Sequence, residues 1–413
     1  MTSPTGTRLP TGPEPGRRSM MPQLYLVAGV TMAGVSAVFA LFAELEKRYG
    51  LSTTSIGWIA GSAFLASLVA QLWLSRYADR GHAGHLLKSG VVVAAVGLLW
   101  FAAATELWQF VAARALLGAG VGMIVPPARR AIVLTADGAP GEKLGTFYAS
   151  YLAGFVFGPP IAGVLTVIGD VRLPFLVFGL MIAATLLSIL RLQLPEADPD
   201  RQPTSDPAGE RRVLRRLLAD RRLIAALLVV VSFRYSIGVF EPLWATHLDN
   251  LGASTTVISL SLASFAVPML LVAKPAGRLA DRIGPRRASL VAALITVPIM
   301  ATYGYAGIVW LIFALAVPHG LMEAVLSPGS QAAIADAASD DDAASAQGLG
   351  EAAGSAAAAI GAFTAPAFFD HLGPGPAWLI AALLMLALLT GSWLLDPPAP
   401  IPVDSRRRRP VTS

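Results

Sequence analysis

The chain contains no cysteine among its 413 residues. Disulfides, thiolate metal sites and cysteine redox chemistry are therefore excluded. Histidine is scarce as well, and the only close pair, His82 and His85, has no glutamate placed to complete a zinc-type spacing. No nucleophile motif stands out, so enzymatic chemistry has no evident carrier and no cofactor is expected. Charge is the third shortage. Asp, Glu, Lys and Arg make up 14% of the residues, against about 25% in an ordinary soluble domain. That is too little polar material to cover a water-facing surface.

What fills the chain instead is apolar: 55% of residues are hydrophobic, with a mean hydropathy of +0.62. Twelve apolar runs are long enough to cross a bilayer as helices at about 1.5 Å per residue. They fall near 22–43, 54–75, 86–104, 107–127, 144–167 and 173–194, then 223–246, 255–274, 287–305, 307–328, 345–368 and 376–395. The run beginning at Met20 is too long for a signal-peptide core and ends without a small-x-small site, so it is expected to stay as a first span. The expected fold is an all-α membrane protein of twelve transmembrane helices in two pseudo-symmetric six-helix halves.

A repeat supports the two halves. Ser52, Thr53, Thr54 and Ile56 open a stretch ending at Ala78, Asp79 and Arg80; 202 residues later Ser254, Thr255, Thr256 and Ile258 open one ending at Ala280, Asp281 and Arg282. Internal duplication of a membrane unit is the build of alternating-access transporters. The division expected is a disordered N-tail (1–19), a first half (20–194), a linker (195–222), a second half (223–395) and a basic C-tail (396–413). In the linker, Val213, Leu214, Leu217 and Leu218 share one helical face while arginines cover the others, the pattern of a helix lying on an anionic leaflet.

The sequence pI of 9.7 does not signal nucleic acid. With the N-terminus placed inside, 26 of the 31 Lys and Arg fall in cytoplasmic segments and 3 outside. This positive-inside asymmetry predicts a multi-pass protein of the plasma (inner) membrane with both termini cytoplasmic. The bilayer is its expected partner, nucleic acid is not, and a monomer is expected to suffice. The acidic run Asp340, Asp341, Asp342 departs from the pattern and has no account at this level.

After span 8 the chain reads Gly277, three residues, Asp281, Arg282, Ile283, Gly284, Pro285, Arg286 and Arg287. This resembles the loop signature of the major facilitator superfamily, and the likeness covers all twelve spans. Asp79 and Arg80 survive in the first copy, where His82, Ala83 and Gly84 replace the rest. The resemblance implies a charged cytoplasmic gate, with Gly277 allowing two helices to approach closely. Arg114, Gly118 and Gly120 resemble the arginine–glycine pattern of span 4. Gly145, Gly154, Gly158, Pro159 and Gly163 follow the span-5 pattern of the drug:proton antiporter branch. Gly154 and Gly158 are expected to give close helix contact, and Pro159 with Pro160 a bend.

The second half embeds Arg234 and Glu241 in span 7, His319 and Glu323 in span 10, and Glu351 in span 11. Arg234 and Glu241 are seven apart on one face, and Glu323 and Glu351 are expected to approach them. Three acids against one obligatory cation would leave at least one protonated, which suits proton coupling. Glu323 is the favoured carrier because His319 stands one turn earlier. Candidate cavity walls are Phe39, Phe64, Phe147, Tyr151, Phe155, Tyr235 and Trp244, suited to lipophilic or amphiphilic small molecules. The expectation is proton-coupled efflux of drug-like compounds; sugar or metabolite transport on the same fold, or a membrane sensor that transports nothing, are the alternatives.

Overall fold

The computed structural model describes residues 20–77, 82–135, 140–194, 207–339 and 342–397, all of whose regular structure is helical. The first half contains α1 (Met21–Ala40), α2 (Phe42–Tyr49), α3 (Thr53–Tyr77), α4 (Ala83–Ala103), α5 (Leu107–Thr135), α6 (Pro140–Ile168) and α7 (Arg172–Ile189). Helix α8 (Pro207–Ala219) lies in the linker. The second half contains α9 (Arg221–Asn250), α10 (Thr255–Ile283), α11 (Pro285–Tyr303), α12 (Val309–Ala337), α13 (Ala343–Leu372) and α14 (Pro374–Leu395). Eleven of these helices are long and apolar enough to span a membrane. Helix α11 falls just outside that group and supplies the twelfth; Arg286 and Arg287 open it.

Helices suit this composition because each satisfies its own backbone groups where no water is available. Large apolar side chains also remain on the outside, among them Trp73, Val167, Leu187, Leu271 and Trp310, each at least 70% exposed. A water-soluble surface does not carry so many; a lipid-facing one does.

The pairing of helices repeats the duplication seen in the sequence. In the first half α1 packs on α6 and α7, α3 on α5, and α4 on α5 and α7. In the second half α9 packs on α13 and α14, α10 on α12, and α11 on α12 and α14. Each pairing has its counterpart six spans later. The halves meet through α3 against α13 and α6 against α10, two contacts that the same operation exchanges. The result is a two-fold pseudo-symmetric pair of six-helix bundles.

Several details depart from the expected spans. The first ends at Ala40, because Phe42–Tyr49 carries Glu44, Glu46, Lys47 and Arg48 and forms a separate short helix. Gly50 closes that helix with φ +64°, a left-handed cap that suits glycine. Helices α5, α10 and α12 run roughly two turns beyond their apolar runs, to Thr135, Ile283 and Ala337. Pro126 and Pro127 do not stop α5. Nor does α8 leave its whole apolar face for lipid. Val213 and Leu217 pack on Leu223, Leu227, Ala333 and Ile334, while Leu214 and Leu218 stay exposed. Arg216 is ion-paired with Asp342, which also accepts from Ser339 at 3.1 Å. The acidic stretch is thus, in part, the docking point of the linker helix.

Close approach occurs at many glycines along the helix contacts, two of them in the span-5 pattern. A Cβ on Gly154 would stand 2.0 Å from the Gly29 carbonyl oxygen, and one on Gly158 would stand 2.5 Å from that of Ala33. Both lie where α6 crosses α1. Gly145 and Gly277 meet nothing within 4 Å, so the close approach expected at Gly277 does not occur. Gly154→Leu should therefore lower the apparent unfolding temperature in detergent, with an overpacking cost of about 1–3 kcal/mol. Gly145→Leu should leave that temperature unchanged, and equal behaviour of the two would contradict the packing account.

Candidate functional site

Both described ends of the chain lie at the end of the bundle that also carries α8, here the linker end. Three layers of polar contact join the two halves between that end and the opposite one, where α2 lies.

The central layer is an ion pair. Arg114 comes from α5 of the first half and Glu241 from α9 of the second, and the guanidinium donates to Glu241 Oε1. Arg114 is 1% exposed and Glu241 9%. The guanidinium reaches the Val35 carbonyl of α1 at 3.5 Å, while its Nε finds no partner among the described residues. Gly118, one turn on, sets the spacing: a Cβ there would stand 2.2 Å from the Ala63 carbonyl oxygen of α3. Gly120 does the same against α4. Arg114 lies about a third of the way along the apolar part of α5, where a charged arginine is costly without a partner, and its carboxylate partner sits on the other half.

This differs from the cluster expected within the second half. Glu241 does not pair with Arg234, and Glu351 does not converge on Glu323. Arg234 lies over Gly354 of α13, where a Cβ would come within 2.8 Å of its Cγ. Glu351 faces Arg129 of α5 at 3.3 Å, across the halves.

Glu323 has its own neighbourhood. His319 Nε2 lies 3.6 Å from Glu323 Oε1, one turn away on α12. The other imidazole nitrogen, Nδ1, meets the Tyr303 hydroxyl at 3.1 Å. Phe265 and Phe240 pack edge-on against the ring. Tyr303 also accepts, through its carbonyl, from His247 Nε2 at 2.8 Å. Glu323 itself forms no hydrogen bond among the described residues and is 5% exposed.

The expected cavity walls divide into two groups. Phe147, Tyr235 and Trp244 are buried in the core rather than facing a cleft. Trp244 donates to Ser261 at 2.8 Å and stacks on Phe240 at 4.3 Å. Phe39 touches Phe155 at 6.1 Å and Phe240 at 5.8 Å, ring to ring, where the halves meet. Phe64 is half-buried beside the same core. Tyr151 stacks on Tyr148, whose hydroxyl meets Ser327 of α12 at 2.9 Å.

At the linker end the Arg129–Glu351 pair is extended by Gln331, whose amide approaches Glu351 at 3.5 Å. Arg286, one of the expected gate residues, does not join it. Arg286 binds Asp396 at 2.6 Å and the Ser392 carbonyl at 2.7 Å, tying α11 to α14 within one half. Arg282 is exposed. Gly284, with φ +90°, turns α10 into α11. Arg287 opens α11. Asp79, Arg80 and the side chain of Asp281 lie outside the described residues. Pro159 is buried within α6, and Gly163 meets Ser259 of α10 across the halves.

At the α2 end four contacts join the halves. Lys47 binds Asp249 at 2.5 Å, Thr246 donates to Glu46 at 2.7 Å and Thr255 to Glu44 at 3.2 Å. Thr54 donates to Asp370 at 2.7 Å through both backbone and hydroxyl. A recess of about 320 Å³ opens among Glu46, Lys47, Thr53, Asp249 and Asp370. Burial pushes the Glu46 carboxyl up to about 7, assisted by Asp370 and Asp249 and opposed by hydrogen bonds from Thr246 and Thr53. Thr53, Thr54 and Thr255 belong to the repeat, but the charged residues Glu44, Glu46, Lys47, Asp249 and Asp370 stand in none of the motifs. One signal existed: Lys47 and Asp249 are 202 apart, the repeat offset, so opposite charges occupy equivalent positions of the two copies.

Two pseudo-symmetric bundles of membrane-spanning helices, joined at their centre by a buried ion pair, have the build of a membrane transporter. The comparisons agree. The model of the Major Facilitator Superfamily matches residues 24–249 and 226–413, and the chain belongs to that superfamily. It is 25% identical to multidrug resistance protein 1 of Bacillus subtilis over 243 residues, 58% of this chain and 61% of that one. With multidrug resistance protein MdtG of Enterobacter lignolyticus the identity is 27% over 318 residues, 74% of each chain. Among solved structures, a mutant of the nucleoside transporter NupG superposes with a TM-score of 0.76 at 13% identity, covering 92% of this chain and all of that one. A bacterial homologue of the lysosomal transporter Spinster gives 0.72 at 14%, covering 94% and 98%.

Glu241→Gln strands a buried guanidinium and should cost about 3–5 kcal/mol of stability. Arg114→Met combined with Glu241→Met should recover most of that loss without restoring transport, read by thermal unfolding in detergent and by a vesicle flux assay. A double variant as unstable as Glu241→Gln would contradict the pairing.

At the α2 end, the closed clasp holds a proton on Glu46 between pH 4.5, the ordinary value, and about 7. Closure is thus supported fully below pH 4.5 and weakens as pH rises through 7. Ala43 is buried at this recess. A maleimide should label Ala43→Cys faster above pH 7, relative to the same cysteine carrying Glu46→Gln at each pH. A constant ratio across pH 5–8 would remove the claim.

Proposed function

We propose that the protein exports small lipophilic or amphiphilic organic molecules across the plasma membrane in exchange for protons, as a monomer with both termini in the cytoplasm. The observation that carries this reading is the buried Arg114–Glu241 pair joining the halves, with the separately buried Glu323 beside His319. The orientation follows from the basic residues gathered at the linker end. The efflux direction draws on the span-5 glycines and on the names of the multidrug resistance relatives.

In this scheme the halves rock about the contacts of α3 with α13 and of α6 with α10, opening one end while the other stays clasped. The Arg129–Glu351 pair latches the cytoplasmic end, and the Glu46 and Asp249 contacts latch the outer end. Glu241, paired with Arg114, is the latch at the centre. Glu323 is the proton carrier: its carboxyl has no fixed donor, and His319 can take or supply a proton at 3.6 Å. Phe39, Phe155 and Tyr151 offer the substrate an aromatic wall between the halves.

Glu323→Gln should abolish accumulation driven by a pH gradient in proteoliposomes while leaving gradient-independent substrate exchange within about twofold of wild type, since the scheme confines the residue to the coupling step. Full gradient-driven transport by Glu323→Gln would remove it as carrier. If amide substitutions at Glu241, Glu323 and Glu351 all leave proton dependence intact, the antiport reading fails.

A further inference from the structure

Of the two arginines embedded in the spans, Arg114 is matched by a carboxylate and Arg234 is not. Arg234 lies 13 positions into the 30-residue α9, near its middle, and is half-buried. It forms no hydrogen bond or ion pair among the described residues. The acids that could neutralise it are engaged elsewhere: Glu241 with Arg114, Glu351 with Arg129, and Glu323 beside His319.

The surroundings of Arg234 give it a direction. Its stem lies on Gly354, where any larger residue would meet Cγ and Nε, so the glycine keeps a berth for the guanidinium. The neighbours of Arg234 on α9, Phe233 and Ile237, belong to an apolar cluster that Leu152 of α6 and Met322 of α12 also enter. Arg234 thus lies against α13 and beside a cluster that α6 of the first half and α12 of the second both enter. Tyr151 on α6 lies within electrostatic reach of Arg234, Arg129, Glu351 and Glu241. A cation in this cleft has an aromatic wall opposite it and no anion of its own.

We propose that Arg234 is the anchor for an anionic group on the transported molecule, so that the cleft takes aromatic or amphiphilic organic anions, carboxylates or sulfonates, in preference to lipophilic cations. A guanidinium in a low-dielectric site is costly without a counter-charge and binds carboxylate or sulfonate oxygens with fixed geometry. Substrate supplies that charge on entry, and the planar rings of Tyr151 and Phe155 hold the apolar remainder. This inference rests on the cleft between the halves being the substrate site, but not on proton coupling or on the direction of transport.

Fluorescein and rhodamine 6G share a xanthene ring system and carry opposite charge, so they test it directly. Binding of each dye to the purified full chain in detergent is read by fluorescence anisotropy, where no gradient exists. Fluorescein should bind, and rhodamine 6G should bind about tenfold or more weakly, the scale of one lost charge-assisted hydrogen bond. Arg234→Gln should weaken fluorescein about tenfold and leave rhodamine 6G unchanged, while Arg234→Lys keeps part of the affinity; size-exclusion profiles identify any variant that fails to fold. Gly354→Leu, which fills the berth without touching the charge, should also weaken fluorescein. Tighter binding of rhodamine 6G, binding of neither dye, or unchanged fluorescein affinity in a folded Arg234→Gln would overturn the proposal. Loss of gradient-driven flux with this charge preference intact would count against antiport alone.

Discussion

A guanidinium at 1% exposure can persist inside an apolar bundle only if a negative charge is brought to it. Here that charge comes from the opposite half of the molecule. The Arg114–Glu241 pair therefore ties the burial of one arginine to the relative position of two otherwise separate six-helix bundles. Removing either partner leaves the other stranded, so the two halves share one electrostatic requirement. The glycines around it serve the same end. Gly118 and Gly120 let α5 sit close enough to α3 and α4 for Arg114 to emerge at the interface.

The clasps on either side of that pair differ in chemistry. At the linker end, Arg129 and Glu351 form an ion pair. At the α2 end, the contacts use one lysine, several hydroxyls and carboxylates, including a glutamate that titrates near 7. An interface whose ends respond differently to protons has a built-in asymmetry. The pseudo-two-fold axis relates the helices but not these charges. At the α2 end the two copies carry opposite charges at equivalent positions, Lys47 and Asp249, and these bind each other across the halves.

The fold was legible because the signals for it are long. Twelve apolar runs, the 202-residue repeat and the skewed basic residues each integrate over many positions, and the observed helix pairing reproduces the repeat pair by pair. The site was less legible. Embedded charges announce themselves, so Arg114, Arg234, Glu241, His319, Glu323 and Glu351 are all readable in the sequence. Their partners are not, because pairing runs between spans whose rotation the sequence does not specify. Glu241 lies seven residues from Arg234 but is drawn to Arg114, 127 residues away. Arg129 escaped notice because the apolar run stops at 127 while α5 continues to Thr135. Trp244 reads as a cavity wall by residue type, yet its indole is spent on Ser261 inside the second half.

The claim on which the mechanism stands is that this central pair couples the two bundles. The absence of native cysteine makes that directly measurable with spin labels. One pair at Ser52 and Asn250 reports the α2 end, and one at Thr135 and Ser345 reports the linker end, by pulsed dipolar spectroscopy in lipid nanodiscs. The account predicts two distance populations at each end, with one end short where the other is long, and broadened, uncorrelated distributions once Glu241→Gln is introduced. Single distances at both ends, unchanged by Glu241→Gln, would contradict it.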